Sequence, residues 1–382
     1  MNLVHEVHSS ELRSYRRCRQ QWDWQHRDGW EPIKKPAPLE DGTVWHSALE
    51  VLYTPETWCF PLGELHARAN AALIEEAENQ LEAYLRRAGK YELEPEEAEE
   101  RTERLNTLRS MLVKLCRSLD RDKYRPIAVE REFSCPITYD DGSRMLCVCN
   151  RCKKAVEKAG DWPLDVYGLP VTFNCRVDVI FEDQEGFTYA VDHKSTTQLY
   201  KPDSIIPELE DQLPSYLWCL EQNHYLVTGL ILNQFRKAYP KPPKRLDRMR
   251  EGRMYSVNKA QLTDLHVART VFTRHDPIAF KHGLYNEYLE WLETNGPEFD
   301  RQFVVFKTPA QLEVIGDNIR KQTQEIINKG PAIYPDPHRM NCDQCTFQLP
   351  CLAKQAGHDV QGDLEGNFVR SEPYYIVRRK RA

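Results

Sequence analysis

Cys175-Arg176-Val177-Asp178-Val179-Ile180-Phe181 and Phe187-Thr188-Tyr189-Ala190-Val191-Asp192-His193-Lys194 are the two runs whose reading decides the fold. Both are rich in β-branched and aromatic residues, and the polar break Glu182-Asp183-Gln184-Glu185-Gly186 between them is a turn. Asp178 interrupts an apolar strand, where an uncompensated carboxylate is costly to bury. Asp192 closes the second strand and Lys194 follows two residues on, so period-2 alternation puts both on one face. If the strands pair as a hairpin, Asp178 and Asp192 converge on one divalent cation. Carboxylate oxygens completed by water are the ligands that Mg²⁺ and Mn²⁺ prefer. Such a cation activates water against a phosphodiester while a nearby ammonium positions the nucleophile or offsets transition-state charge. An isolated Asp-x-Lys is common, and an ordinary hairpin with a salt-bridging lysine accounts for it, so the flanking sequence has to decide.

Upstream, Ile127, Val129, Glu130 and Phe133 mark a strand, Val171–Phe181 a second and Phe187–His193 a third. A helix around Glu208–Glu221 and a strand around Leu226–Phe235 follow. The core order is helix, three strands, helix, strand, an α/β pattern, with an insertion between Cys135 and Pro170. Before it, Ser9 or Ser10 is placed to cap a helix carrying Leu12, Tyr15, Cys18 and Trp22. Pro32–Pro38 leads to Asp41-Gly42 and a short helix holding His46, Leu49 and Glu50. Two charged helices, Gly63–Arg87 and Pro95–Leu119, read as solvated faces, and helices recur from Lys259 to Lys329. The expected organisation is 1–60, an N-terminal helix and His motif; 61–124, helical; 125–236, the core with an insertion at 136–170; 237–330, a basic loop and helices; and 331–382, a cysteine-rich segment with a basic tail.

The chain of 382 residues is 41% hydrophobic and 29% charged, which suits a globular protein with a real core. No apolar run is long enough to span a bilayer and the N-terminus lacks a signal-peptide pattern, so no membrane partner and a cytoplasmic location are expected. A net charge of −6 argues against a generic nucleic-acid coat but leaves room for a local basic groove. Two stretches offer one: Arg236, Lys237, Lys241, Lys244, Arg245, Arg248 and Arg250 around Tyr239, and Arg378-Arg379-Lys380-Arg381 after Tyr374-Tyr375. Basic side chains mixed with aromatics suit single-stranded DNA, and plain solvation is the alternative.

Twelve cysteines in a reducing compartment read as metal ligands or small core residues rather than disulfides. Cys59, Cys116 and Cys219 stand singly in apolar or helical stretches and read as core. Cys342-x2-Cys345-x5-Cys351 supplies three close thiols that need a fourth ligand, for which Cys18 is the candidate; tetrahedral zinc and a cubane cluster both remain open. Cys147, Cys149 and Cys152 in the insertion have a knuckle spacing at Cys149-x2-Cys152 and form a candidate second, zinc-type site. Cys135 and Cys175 are the candidates for further ligands there, and packing as small apolar residues is the alternative.

Taken in order, these elements resemble the RecB-like nucleases, the branch of the PD-(D/E)xK superfamily that includes AddB nuclease domains and the CRISPR-adaptation exonucleases. Gly42-Thr43-Val44-Trp45-His46 is similar to that group's histidine helix, Arg176-Val177-Asp178 to its aspartate strand, Asp192-His193-Lys194 to its Asp/Glu-x-Lys strand, and Gln212-Leu213-Pro214-Ser215-Tyr216 to its Gln-x-x-x-Tyr helix. Glu130 resembles the glutamate that opens the group's first core strand. The resemblance implies a restriction-endonuclease-like core, a mixed β-sheet flanked by helices, with helical additions and a terminal metal-cluster subdomain. It implies that His46, Asp178, Asp192 and the backbone of His193 ligate Mg or Mn, that Lys194 positions the attacking water, and that Gln212 and Tyr216 contact DNA or steady the site. It further implies a 4Fe–4S cluster on Cys18, Cys342, Cys345 and Cys351. Pro214 departs from the helix motif and is expected to kink it. The activity implied is a Mg/Mn-dependent deoxyribonuclease, an exonuclease on single-stranded DNA with 5′→3′ polarity, serving phage or bacterial replication, recombination or repair, with a helicase or recombination protein as partner. The rival from another class is a catalytically silent DNA-binding module on the same fold.

Overall fold

In the computed structural model, residues 2–159, 168–327, 332–371 and 376–379 are described. Strand β1 (Asn2–His8) runs directly into helix α1 (Ser9–Arg17). Helices α2 (Ala37–Leu52), α3 (Leu62–Ala88) and α4 (Pro95–Ser118) precede the long strand β2 (Tyr124–Pro136). The insertion contributes β3 (Leu146–Cys147) and α5 (Asn150–Ala159). Strands β4 (Leu169–Asp183) and β5 (Thr188–Thr196), helix α6 (Gln212–Gln222) and strand β6 (Gly229–Arg236) complete the centre. Helices α7 (Leu265–His275) and α8 (Asn286–Asn295), strand β7 (Asp300–Val305), helix α9 (Pro309–Ile327) and strand β8 (Ile376–Arg379) follow.

The mixed sheet runs β7-β6-β5-β4-β1-β8, with β2 and β3 along the other edge of β4. The expected mixed sheet flanked by helices is therefore present, and the expected hairpin pairs Val179 with Val191 and Glu182 with Thr188. Its strands come from beyond the 125–236 segment, because β1, β7 and β8 all join it. β4 is bordered by β2 from Tyr124 opposite Asp183 to Pro136 opposite Thr172, and by β3 at Leu169 and Pro170. Its other edge is shared: β1 pairs in parallel with residues 171–174, and β5 pairs antiparallel with residues 179–182. Between those two pairings β4 is flanked by neither, and the sheet forks there.

Helices cover both faces. Leu12 of α1, Leu213, Leu217 and Trp218 of α6 and Ile319 of α9 pack with Val7, Phe173 and Leu232 on one side. Trp45 and Leu49 of α2, Leu65 of α3 and Leu112 of α4 pack with Val179, Val191 and Ile231 on the other. Close contact between α6 and α9 depends on Gly316, where a Cβ would stand 2.3 Å from the Trp218 indole nitrogen. A separate helical cluster, centred on Phe272, Tyr285 and Tyr288, carries α7 and α8. No helix of the described residues is long and apolar enough to cross a membrane.

Strand alternation breaks at one level in β2 and β4 together. Phe173, Cys175 and Val177 lie in one core, whereas Val179 and Phe181, of the same parity, lie in the other. On β2, Phe133 and Cys135 fall in the first core and Val129 packs against the second. The residues at the break are Asp178 and, across from it, Glu130, whose φ of 45° places a non-glycine residue in the left-handed region.

Two local expectations are corrected. The first helix begins at Ser9 with His8 at its N-cap and no side-chain cap, because β1 leads straight into it. The His46 helix is not short: it spans 16 residues, started by Pro38 in its first turn, where a missing N–H costs nothing.

Candidate active site

The fork in the sheet opens a cleft of about 660 Å³, walled by His8 and Ser9 at the β1–α1 junction, Thr43 and His46 of α2, Asp178 of β4, Asp192 and Lys194 of β5 and Gln212 and Tyr216 of α6. Each wall is held from behind by core packing. Trp45 of α2 is fully buried and meets Phe235 edge-on at 5.3 Å, which turns His46 toward the cleft. Glu40 and Asp41 at the start of α2 are gripped by Arg101, Arg104 and Lys237. Lys237, expected among the DNA-binding cations, is thus committed to Asp41 at 3.1 Å. Arg245–Arg250 form one strand of an exposed hairpin with Arg253–Tyr255. Of the C-terminal run, Tyr374, Tyr375, Lys380 and Arg381 lie outside the described residues.

Because β5 persists to Thr196, Asp192 and Lys194 share its cleft face, as alternation requires. His193 points the other way, its ring stacked on Tyr53 at 5.3 Å and tilted against Phe235 at 5.7 Å. The Lys194 ammonium lies 3.0 Å from the Asp192 carboxylate. Gln212 donates to Asp192 Oδ1 at 3.3 Å and to the Tyr216 hydroxyl at 2.7 Å. Pro214 does not kink this helix. It lies in the first turn, two residues after the helix begins at Gln212, where its missing N–H is one of the unsatisfied set, and Ser215 N–H still reaches the Asp211 carbonyl at 3.1 Å.

His46 Nδ1 stands 3.5 Å from Asp178 Oδ2. With Glu130 they form a set whose ligand atoms all lie within 4.8 Å of one another. Glu130 is the residue that sequence reasoning left out of the ligand set, although its strand position was noted. What brings it in is the left-handed backbone at 130, which no sequence pattern announces. Asp192, expected as a ligand, lines the same cleft and lies against Lys194 and Gln212. The contact His193 makes here is its peptide N–H, donated to Asp178 Oδ2 at 2.7 Å.

The electrostatics favour a cation in this set. Burial first, and then the neighbouring Asp192, push the Asp178 carboxyl from 3.8 up to about 8. Burial and then Asp178 push Glu130 from 4.5 up to about 7, although Arg176 lies 2.7 Å from it. Burial, then Lys194, hold His46 below its ordinary value, so it is a neutral imidazole with a lone pair to give. Desolvation works against the Lys194 ammonium, but Asp192 and Asp178 hold it above its ordinary value. Two mutually repelling carboxylates and a neutral imidazole are a donor set suited to Mg²⁺ or Mn²⁺.

A family model described as the PD-(D/E)XK nuclease superfamily matches residues 9–351. The chain belongs to this superfamily. The match spans α1 to Cys351 and so takes in every residue of the cleft named above except His8. No curated protein matches the chain. For this member of a superfamily of metal-dependent nucleases, the cleft is the candidate active site.

Ten of the twelve cysteines fall into three places; of the other two, Cys116 is in the core as expected, whereas Cys59 is exposed. Cys18 lies between α1 and the short helix Arg19–Trp22 and accepts from Asp336 N–H at 3.5 Å. Arg17 and Asn341 bond reciprocally beside it, each to the other's carbonyl. Cys345 and Cys351 pack on a cluster of Trp24, Trp30, Phe347, Leu364 and Phe368. Burial pushes the Cys345 thiol up, with Cys18 and Cys342 close enough to act on it. Two groups of three or more ligating side chains among the described residues close to within 4.8 Å, and the terminal cysteines are not one of them. Cys135 and Cys175, the candidates for further ligands of the insertion, are buried beside Cys219. Cys147 and Cys152 lie together in the core with His5.

Proposed function

We propose that this protein is a divalent-metal-dependent deoxyribonuclease of the RecB-like type that degrades single-stranded DNA from an end with 5′→3′ polarity. The observation that carries the nuclease assignment is the convergence of His46, Glu130 and Asp178 beside the Asp192–Lys194 pair, with His46, Asp178, Asp192 and Lys194 lining one open cleft. A divalent cation held by that triad supplies a bound water of lowered pKa and positive charge against the scissile phosphate. The residues around it do the positioning. The His193 peptide N–H fixes the Asp178 carboxylate, and Gln212 fixes Asp192 and Tyr216. Lys194 presents an ammonium to the attacking water or the phosphate oxygen.

Strand preference and polarity rest on the resemblance of the His, Asp, Asp-x-Lys and Gln-x-x-x-Tyr elements to the CRISPR-adaptation exonucleases, as do the bacterial or phage repair setting and a helicase partner. The terminal cysteines are proposed to hold a 4Fe–4S cluster. A tetrahedral zinc draws its thiolates to ~3.8 Å of one another, from Zn–S bonds of ≈ 2.3 Å. The more open arrangement of Cys18, Cys342, Cys345 and Cys351 suits a larger group. That group would clasp α1, whose first residues wall the cleft, to the C-terminal segment. The test is cleavage of end-labelled linear and closed circular single strands with Mg²⁺ or Mn²⁺. Release of short products from the 5′ end of linear strands, with circles intact, is expected; cutting of circles would replace the exonuclease by an endonuclease.

A further inference from the structure

The insertion between β2 and β4 brings three thiols to one point. Cys147 ends β3, Cys149 stands at the bend before α5, and Cys152 lies in the first turn of α5. With one residue between them, Cys147 and Cys149 would share a face of an extended strand but stand ~7 Å apart; the strand stops at Cys147 and the backbone bends at Cys149. The Cys147 and Cys152 side chains both lie close enough to the Cys149 sulfur to act on its thiol. The peptide N–H of Cys152 also donates to Cys149 Sγ at 3.4 Å, an outer contact of the kind that supports a metal-bound thiolate.

The fourth group comes from the far end of the chain. His5, in β1, places Nδ1 3.4 Å from Cys152 Sγ. The ligand atoms of His5, Cys147 and Cys152 all lie within 4.8 Å of one another. The tetrahedral zinc spacing is ~3.8 Å between sulfurs. Cys147, Cys152 and His5 are all nearly inaccessible to solvent, at 1%, 0% and 5% exposure. Cysteines used as small apolar filler have no reason to converge on one imidazole. Gly168 shows how tightly the insertion is drawn in, since a Cβ there would meet the Cys147 carbonyl oxygen at 2.9 Å.

We infer that His5, Cys147, Cys149 and Cys152 form a closed, structural Zn²⁺ site that staples β1 to the insertion. Three sulfurs and one nitrogen match the borderline-soft preference of zinc and exclude the hard cations suited to the cleft. On binding, the thiols release their protons to solvent, and four protein ligands leave no open position for chemistry. The mechanical consequence reaches the active site. β1 pairs with β4 from His5 to His8, and His8 and Ser9 wall the catalytic cleft. Fixing His5 therefore fixes one prong of the fork.

The test uses the full-length chain, purified without added metal. Elemental analysis is expected to find about one zinc per chain, retained when Cys342, Cys345 and Cys351 are changed to serine together and lost in Cys149→Ser. X-ray absorption at the zinc edge of the unaltered protein should show three sulfurs and one nitrogen. Because Cys149→Ser could unfold the insertion, His5→Cys gives an independent reading: zinc should remain, with the shell changed to four sulfurs. Absence of zinc from the unaltered, folded protein would overturn the site. So would a four-sulfur shell in that protein, or an unchanged three-sulfur shell in His5→Cys.

Discussion

Asp178→Asn should make the metal-free protein more stable and the metal-loaded protein less so. In the folded state the Asp178 carboxyl is raised from 3.8 to about 8, by burial and then by Asp192. Between those two values the folded state holds a proton that the unfolded chain has released. The unfolded state therefore binds fewer protons, and stability falls as pH rises from about 4 to about 8. At ~1.4 kcal/mol for each tenfold difference in proton affinity, the cost at pH 7 has a ceiling of about 4 kcal/mol, and sharing of charge with Asp192 and Lys194 brings it to about 2–4 kcal/mol. Asparagine keeps the size and the oxygen that accepts the His193 N–H at 2.7 Å, and it removes the charge. In EDTA the variant should exceed the unaltered protein by that amount at pH 7, by at least as much at pH 8.5, and by almost nothing at pH 4. With Mn²⁺ at a hundred times its dissociation constant, the unaltered protein should gain about 2.7 kcal/mol and the variant little. Urea unfolding followed by tryptophan fluorescence, at three pH values with EDTA or Mn²⁺, measures both effects. The reasoning fails if the variant is the less stable protein in EDTA at pH 8.5, or if it gains as much from Mn²⁺ as its parent.

Lys194→Met and Asp192→Asn should each lower cleavage at least ~10³-fold, since both remove charge placed where the phosphate reacts, while filter-bound DNA changes little; wild-type rates in both would take the chemistry out of this cleft. Glu130→Gln should weaken Mn²⁺ binding by calorimetry about tenfold or more, because it removes an anionic ligand. Unchanged affinity would leave Glu130 as no more than the partner of Arg176. Protein purified without oxygen should be brown with about four irons per chain, and Cys18→Ser should lose iron as fully as Cys345→Ser. Stoichiometric zinc at those cysteines in place of iron would refute the cluster.

The hairpin was legible because its physics is local: β-branched runs, a Gly-containing turn and period-2 alternation place Asp178, Asp192 and Lys194 without further information. His46 and Gln212 came from motif order, not from any local rule, and the fold supplies the reason they matter by bringing α2 and α6 to the fork. β1 was missed because Leu3 to Val7 are all buried, His5 and Glu6 included, so it shows no polar–apolar alternation. Its partner, β4, begins more than 160 residues later, which leaves no local trace. β7 was hidden inside a region read as helical, since a short edge strand against β6 is decided by pairing rather than propensity. Pro214 was misread because the cost of proline depends on where the helix starts, and boundaries are the least readable feature of a sequence. The approach of Glu130 to His46 and Asp178 depends on a backbone conformation that the residue itself disfavours, so only the folded context could reveal it.

That strained residue and the break at Asp178 explain one another. A regular strand pair would send Glu130 and Asp178 to whichever face alternation dictated and leave the other carboxylates of the site out of reach. Where both strands break alternation together, Glu130 and Asp178 turn toward His46. A left-handed non-glycine residue costs roughly 1–3 kcal/mol, and such residues persist where the surrounding structure over-determines them. Here the surroundings are two cores packed against opposite faces of β4. The two aspartates consequently take different parts. Asp192 lies against Lys194 and Gln212, its charge answered from within the chain. Asp178 and Glu130 are answered incompletely, and both rise well above ordinary carboxyl values even with Arg176 beside them. A site built only for stability would have supplied another arginine or buried fewer charges. In the proposed function, two converging carboxylates and a neutral imidazole would be completed by a cation from solution, and the strain at residue 130 would be the cost of holding them ready.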